Sequence, residues 1–381
     1  MHIAIAHFFE PHTTGNYIRK ALGREHKINY ISEYSDFVSK TYSGLPIQTI
    51  LPKSGIDLLL YIDPIGQFFP TRLENLACPT AIYLIDVHQN LEQRLAMAHF
   101  FDYVFVAQKD YIQAFLDADI KNVFWLPLAC DPEFHIPSKI SDKLLYDIGF
   151  VGNRGLMGSE RHQLLELLEK NFKINSLDRR YLPEEIGTIY SQSRLVFNYS
   201  IKGDVNMRTF EALCGGRLLL TNAIPNGLEE LFKDRQHLVI YRNSEELIQL
   251  VRYYLEHPEE REEIARTGQA LVITKHTYQQ RTEQILATIF GAGSPQLVAP
   301  ARTWSATKRW KAYSQVLANM RQPLATLRVA NQAWREGEAS WELVALGIGA
   351  GLRAINLRVP LTPNALRHRW KVWRSTYLAA S

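Results

Sequence analysis

Cysteine is scarce and dispersed, with Cys78, Cys130 and Cys214 the only three in 381 residues. They form no CxxC pair and no histidine cluster stands at zinc-ligand spacing, so neither a disulfide framework nor a structural zinc site organises this chain. The three read as reduced core thiols of a cytoplasmic protein. Other signatures are missing as well: there is no GxxxxGK[ST] phosphate loop, no HExxH helix and no GxSxG elbow, which sets aside P-loop, zincin and α/β-hydrolase chemistry. Asp117-Ala118-Asp119 has the form of a metal-binding DxD, yet it falls between a helix and a strand with no supporting ligands, and no metal site is expected. Met1–His7 enters an apolar strand-like run without a basic n-region or a small-residue cleavage site, so no targeting segment is read. The uncharged stretch from Leu343 to Leu352 falls short of the roughly 20 residues that span a bilayer. No repeat at a solenoid period is present.

Acidic residues are nearly missing from one part of the chain. Residues 291–381 carry 13 Lys and Arg against 3 Asp and Glu, a net +10, while the first 290 residues carry 30 against 36, a net −6. The same tail holds six of the seven tryptophans: Trp304, Trp310, Trp334, Trp341, Trp370 and Trp373. Basic helices with interspersed tryptophan suit an anionic membrane surface, which would make the protein peripheral at the inner face of the membrane. Burial of the tryptophans in a helical subdomain is the equally weighted alternative. Nucleic acid is not the expected partner.

Through residue 290, short β-branched or aromatic runs alternate with amphipathic stretches, the pattern of parallel sheets covered by helices. Strands are predicted at His2–His7, Asp57–Asp63, Thr80–Asp86, Tyr103–Ala107 and Val123–Leu126. Asp131–Ser138, with two prolines among polar residues, is read as the start of a linker. A second series follows at Tyr146–Val151, Phe172–Asn175, Leu195–Tyr199, Leu218–Thr221 and Leu238–Tyr241, with helices at Glu160–Lys170, Pro183–Ser191, Met207–Cys214 and Asn226–Phe232. Pro258 ahead of Glu259 and Glu260 starts another helix, and Gly291–Pro295 is a credible hinge. The expected class is α/β: residues 1–135 and 136–290 as two Rossmann-like domains facing a cleft, and 291–381 as a basic, Trp-rich helical extension.

The most informative segment runs from Lys202 to Thr221. A polar loop leads into a short helix carrying Arg208 and Glu211, and Gly215-Gly216 ends it before the next strand. Such a loop lies at the C-terminal edge of a sheet, where α/β proteins bind nucleotides. A helix N-terminus with an adjacent arginine suits a diphosphate, and a carboxylate there accepts both hydroxyls of a ribose. The bland alternative makes Glu211 a complement to the helix dipole and Arg208 a solvated charge. A second candidate is the turn Gly149-Phe150-Val151-Gly152-Asn153-Arg154-Gly155, followed by Arg161. Its glycines would let backbone amides approach phosphate, with Arg154 or Arg161 adding charge; an ordinary tight βα turn is the competing reading. In the first half, Gly15 and Asn16 follow the opening strand, and Asp86-Val87-His88 follows the strand ending at Ile85. Asp86 or His88 there would orient an acceptor hydroxyl or a donor sugar, or simply cap the next helix. His7 and His12 rank lower.

Asp147 to Arg281 resembles the CgeB-like (spore-maturation) glycosyltransferases, within the group 1 transferases of GT-B fold. The likeness is carried by Gly149-Phe150-Val151-Gly152, Arg194-Leu195-Val196-Phe197-Asn198, Arg208-Thr209-Phe210-Glu211-Ala212-Leu213, Leu220-Thr221, and His276-Thr277-Tyr278 with Arg281. It extends more loosely to Phe101–Phe105 and Leu126–Asp131, and does not cover the tail. The resemblance implies a retaining, metal-independent enzyme needing no cofactor beyond its nucleotide-diphosphate sugar donor. That donor would lie on the second domain and a hydroxyl acceptor (glycan, lipid or protein) on the first, with Glu211 on the ribose and the Gly152 turn beside the diphosphate. One departure stands out: where the group carries two glutamates in an E-x7-E pattern, Gly203 occupies the first position, with Asp204 next to it. The candidate residues are Asp86, His88, Asp204 and Arg208 for chemistry. Gly15, Gly152, Asn153, Arg154, Arg161, Asn198, Asn206, Arg208, Thr209 and Glu211 are the candidates for donor binding. The rival readings are an inactive GT-B module that binds nucleotide sugars, and an NAD-dependent oxidoreductase resting on the glycine turn and Asp178; a nucleotide-sugar epimerase shares the architecture.

Overall fold

The computed structural model describes residues 1–7, 12–31, 42–63, 68–136, 143–294, 296–338 and 340–355. Two all-parallel sheets organise them. The first contains β1 (His2–Ala6), β2 (Lys27–Ile31), β3 (Leu58–Ile62), β4 (Thr80–Leu84), β5 (Tyr103–Val106) and β6 (Val123–Trp125) in the order β2-β1-β3-β4-β5-β6. The second contains β7 (Tyr146–Gly149), β8 (Ser193–Asn198), β9 (Leu218–Asn222) and β10 (Val239–Tyr241) in the order β10-β9-β8-β7. The central strands β3 and β4, Leu-Leu-Leu-Tyr-Ile and Thr-Ala-Ile-Tyr-Leu, are buried throughout. Continuous apolar runs of this kind belong to parallel sheets covered on both faces.

Two strands depart from the sequence expectation. β2 was not anticipated; it is an edge strand, partly exposed along most of its length, and so lacks the unbroken apolar run of its neighbours. Phe172–Asn175, expected as a strand, makes a single bridge, Ile174 to Ile148. Here the Asn175 side chain takes over the role of a ladder: its Oδ1 accepts from Phe150 N and its Nδ2 donates to Phe150 O, each at 2.8 Å.

The predicted linker holds a structured turn. Asp131 caps the helical turn Pro132–His135 by accepting from Glu133 N at 3.1 Å, and that turn packs against the helices Ile186–Ser191 and Met207–Cys214 of the second sheet. Ser138 lies outside the described residues. The chain then crosses back. Cys130 N donates to His276 O (3.0 Å) and Tyr278 N donates to Cys130 O (2.9 Å), and helix Tyr278–Phe290 packs on helix Thr14–Leu22 of the first sheet. Buried Arg281 fastens the crossing by donating to Pro127 O, Leu128 O and His276 Nδ1. Burial and the Arg281 charge push His276 down to about 4, consistent with a ring nitrogen that accepts from a guanidinium.

The tail's first half belongs to the body. Helices Ala306–Asn319 and Pro323–Arg335 bury Trp310, Tyr313, Val316, Leu317 and Val329 in one core with Phe69, Leu73 and Phe100 of the first sheet's surroundings. Arg302 grips Asp102 with Nε (2.8 Å) and Nη2 (2.9 Å), and its Nη1 donates to Glu74 O and Leu76 O. Trp334 and Trp341, by contrast, are 65% and 87% exposed; Trp370 and Trp373 lie outside the described residues. Among the described residues no helix is long and apolar enough to cross a membrane.

Tyr313 tests whether this packing is structural. Its hydroxyl accepts from Leu73 N (2.9 Å) and donates to Glu74 Oε2 (2.7 Å), so Tyr313→Phe strands a buried amide and should lower stability by about 1–3 kcal/mol in urea denaturation. Unchanged stability would contradict a shared core.

Candidate functional site

A cavity of about 710 Å³ opens between the two sheets, lined by Asp86, His88 and Gln89 from the first and by Arg161, Ile201, Lys202, Asp204, Asn206, Met207, Arg208 and Glu211 from the second. The polar loop after β8 delivers most of these. Asn206 then starts helix Met207–Cys214, its Oδ1 accepting from Thr209 N at 3.3 Å. Arg208 and Glu211, three positions apart, therefore share one face at the helix end that carries positive partial charge.

Arg208 is held from beneath. Its Nε and Nη2 donate to Val151 O at 3.0 and 2.8 Å, its Nη1 donates to Asn198 Oδ1 at 3.0 Å, and its guanidinium lies 4.7 Å over the Phe150 ring. Three of five N–H groups are thus committed to the scaffold, leaving two to act on a ligand. Arg161 is fixed likewise, donating from Nε to Tyr199 O (3.2 Å) and from Nη1 to Asn153 O (2.8 Å). Burial, then the Arg208 charge, pushes Arg161 down to about 10, so it remains cationic at neutral pH. Two guanidiniums lining one cavity repel each other, and an anion between them relieves that cost.

The carboxylates are differently placed. Glu211 has a side chain only 12% exposed, with Oε1 3.6 Å from His135 Nε2. Asp204 accepts from Ser200 Oγ at 2.6 Å. Burial raises Asp86, reinforced by the nearby Asp63 charge. Asp63 also shapes this loop, because it forms a buried ion pair with Arg94 (3.0 Å) while its Oδ2 accepts from Ile85 N and Asp86 N.

The cavity thus gathers Asp86, His88, Asp204, Arg161, Asn206, Arg208 and Glu211 from the candidate list. The others do not line it. Gly15 is buried against His7, whose ring carbon would sit 2.0 Å from an added Cβ. Asn198 is fully buried and acts as a bracket: its Oδ1 accepts from Arg208 and from Asn206 Nδ2, and its Nδ2 donates to Thr221 Oγ1 at 3.0 Å. Thr209 is buried beside it. Asn153 Oδ1 accepts from Gly155 N within its own turn. Arg154 pairs with Asp178 (2.8 Å) and Glu169 (3.5 Å) on the outer surface, which also engages the acid on which the dinucleotide reading relied. Gly152 serves indirectly: at φ +147° it passes under Arg208, whose Nη2 lies 2.1 Å from where a Cβ would stand.

Sequence reasoning did not single out Lys202, Gln89 or Ile201 as lining residues, nor His135 and Tyr17 behind Glu211. His135 sits in a proline-containing segment that reads as a linker, and nothing local in the sequence points it at a helix about 75 residues away. His7 donates or accepts at Thr13 Oγ1 (3.0 Å) and burial pushes it down to about 4. His12 pairs with Glu184 at 2.6 Å, joining the two halves.

Comparisons with known proteins bear on the fold that carries this site. Residues 156–287 match the model of a family described as glycosyl transferase-like. No curated protein sequence matches the chain. Among solved structures, the chain is similar to HepE of Anabaena in complex with UDP and glucose (14% identity, 76% of this chain and 99% of that one, TM-score 0.54). It is also similar to sucrose-phosphate synthase of Thermosynechococcus elongatus (11%, 74% and 97%, TM-score 0.51) and to the T4 phage BGT in complex with UDP-glucose (12%, 76% and 100%, TM-score 0.50). The fold is GT-B.

Gly152→Ala should dislodge the Arg208 guanidinium and strain a backbone position that L side chains rarely adopt. The expected result is pyrophosphate binding weakened by about tenfold or more in calorimetry, the loss of one charge-assisted contact. Wild-type affinity in this variant would show that Arg208 does not face the anion.

Proposed function

We propose that this chain is a glycosyltransferase that moves a sugar, of hexosyl type, from a nucleoside-diphosphate donor to a hydroxyl acceptor. The observation that carries the reading is the convergence of Arg161, Arg208 and Glu211 on one interdomain cavity of a GT-B fold. Support comes from the glycosyl transferase-like segment 156–287 and from structural relatives described in complex with UDP or UDP-glucose. The two N–H groups left on Arg208, with Arg161 and the helix N-terminus, face the diphosphate. Glu211, an acceptor of two hydrogen bonds, takes the ribose hydroxyls. The sugar then lies toward the opposite wall, where Asp86 and His88 hold its hydroxyls or that of the acceptor, with Asp204 standing beside the first position of the paired-glutamate pattern.

In the transfer, the bond between the anomeric carbon and the β-phosphate oxygen breaks and a bond to the acceptor oxygen forms. Negative charge accumulates on the departing diphosphate, and fixed guanidiniums stabilise it without reorganising. Their two positive charges supply the neutralisation that a divalent cation supplies elsewhere, the basis for proposing a metal-independent reaction. Retention at the anomeric carbon is proposed with attack from the face of the leaving group, whose phosphate oxygen takes the acceptor proton. Exclusion of water by closure of the two halves favours transfer over hydrolysis.

Arg208→Ala should lower turnover by at least ~10²-fold, the effect of losing one charge-stabilising donor. The measurement is release of nucleoside diphosphate from sugar nucleotides in the presence of acceptor, with circular dichroism to establish folding and NMR of the product to read the anomeric configuration. Near-normal turnover in the folded variant would refute the assignment, and sugar-nucleotide binding without turnover by the wild type would favour the inactive-module reading.

A further inference from the structure

His135 is a buried polar group that none of the preceding chemistry uses. Its side chain is 1% exposed and sits in the helical turn Pro132–His135, which packs on the helix bearing Glu211. Nδ1 accepts from Asp131 N at 2.9 Å. A backbone amide can only donate, so Nδ1 is unprotonated and the neutral ring carries its proton on Nε2. That Nε2 has no hydrogen-bond partner, yet it is aimed at Glu211 Oε1, 3.6 Å away. The ring cannot swing elsewhere: Tyr17 packs edge-on at 5.5 Å and Phe134 at 5.2 Å, and His135 N donates to Asp131 O at 2.8 Å. A buried N–H left unpaired is costly, and a movement of about half an ångström by the carboxylate turns this contact into a charge-assisted hydrogen bond.

We propose that His135 is a positioning residue for Glu211: its Nε2–H holds one carboxylate oxygen so that the other faces the vicinal hydroxyls of a ribose, and it thereby sets a preference for ribonucleotides. The proposal rests on the reading of the cavity as a nucleotide site. An unheld carboxylate on a short helix has several rotamers to lose when it binds a diol; one pinned by a rigid imidazole has already lost them. The device also joins the connector between the two halves to the binding helix, since His135 lies on the former and Glu211 on the latter.

The test compares UDP and GDP with their 2′,3′-dideoxy counterparts by calorimetry on the full chain, in the wild type, His135→Phe and His135→Gln. The wild type should favour the ribose form of the tighter nucleotide by at least about tenfold, one charge-assisted contact. In His135→Phe the ratio should fall to within about threefold, with affinity for the dideoxy form unchanged; His135→Gln, which keeps an N–H donor, should recover most of the preference. A general structural disturbance, such as that from the Asp131 amide losing its acceptor, weakens both ligands equally and leaves the ratio alone. An unaltered ratio in His135→Phe overturns the proposal while leaving the nucleotide site intact. Should the phenylalanine variant not fold, a His135→Gln ratio below threefold overturns it as well. A wild type that binds neither nucleotide defeats the underlying reading and the proposal with it.

Discussion

The site depends on one constraint: a guanidinium that is not free to move. Val151 O and Asn198 Oδ1 hold Arg208 by three hydrogen bonds, and Asn198 is itself gripped by Thr221 and by Asn206, the residue that caps the Arg208 helix. The ends of β7, β8 and β9 are thereby tied to one another through a cation. Gly152 has no side chain because that space belongs to the Arg208 Nη2. A charge held in place before a ligand arrives needs no reorganisation when charge develops on it, and a second such charge, Arg161, lines the same cavity. The repulsion between them is energy stored against the arrival of an anion.

The two halves meet around this site through buried, directional contacts. The parallel bridge between Cys130 and Thr277, with Arg281 donating into the carbonyls of Pro127 and Leu128, fixes where the chain crosses. The first half of the basic tail does not stand apart from this body. Trp310 and Tyr313 complete the first sheet's core, and Arg302 neutralises the buried Asp102, so this positive charge of the tail has an intramolecular partner. Trp334 and Trp341 remain exposed, a different role from that of the buried tryptophan of the same segment.

Much of this was legible in the sequence, and the failures have physical causes. Helix Met207–Cys214 begins and ends where the polar loop and the Gly215-Gly216 pair place it, because caps and glycines act locally. The central strands were visible as unbroken apolar runs. β2 was not, since an edge strand need bury only part of its surface, and Phe172–Asn175 looked like a strand although a side-chain amide takes the place of its ladder. Of the two arginines in and after the glycine turn, Arg161 lines the cavity while Arg154 faces Asp178; both suit a phosphate by type, and only the three-dimensional course of the turn separates them. Asn198 and Thr209 lie in the right segments but support the site from below, as alternate positions of a buried strand and helix must. His135 was invisible because its partner is distant in sequence.

The most direct measurement is a crystal structure of the full chain with a nucleoside diphosphate bound. The account predicts phosphate oxygens within hydrogen-bonding distance of the two uncommitted Arg208 N–H groups and of Arg161, and ribose hydroxyls on the Glu211 carboxylate. A nucleotide bound elsewhere, or one whose phosphates leave Arg208 untouched, would contradict it.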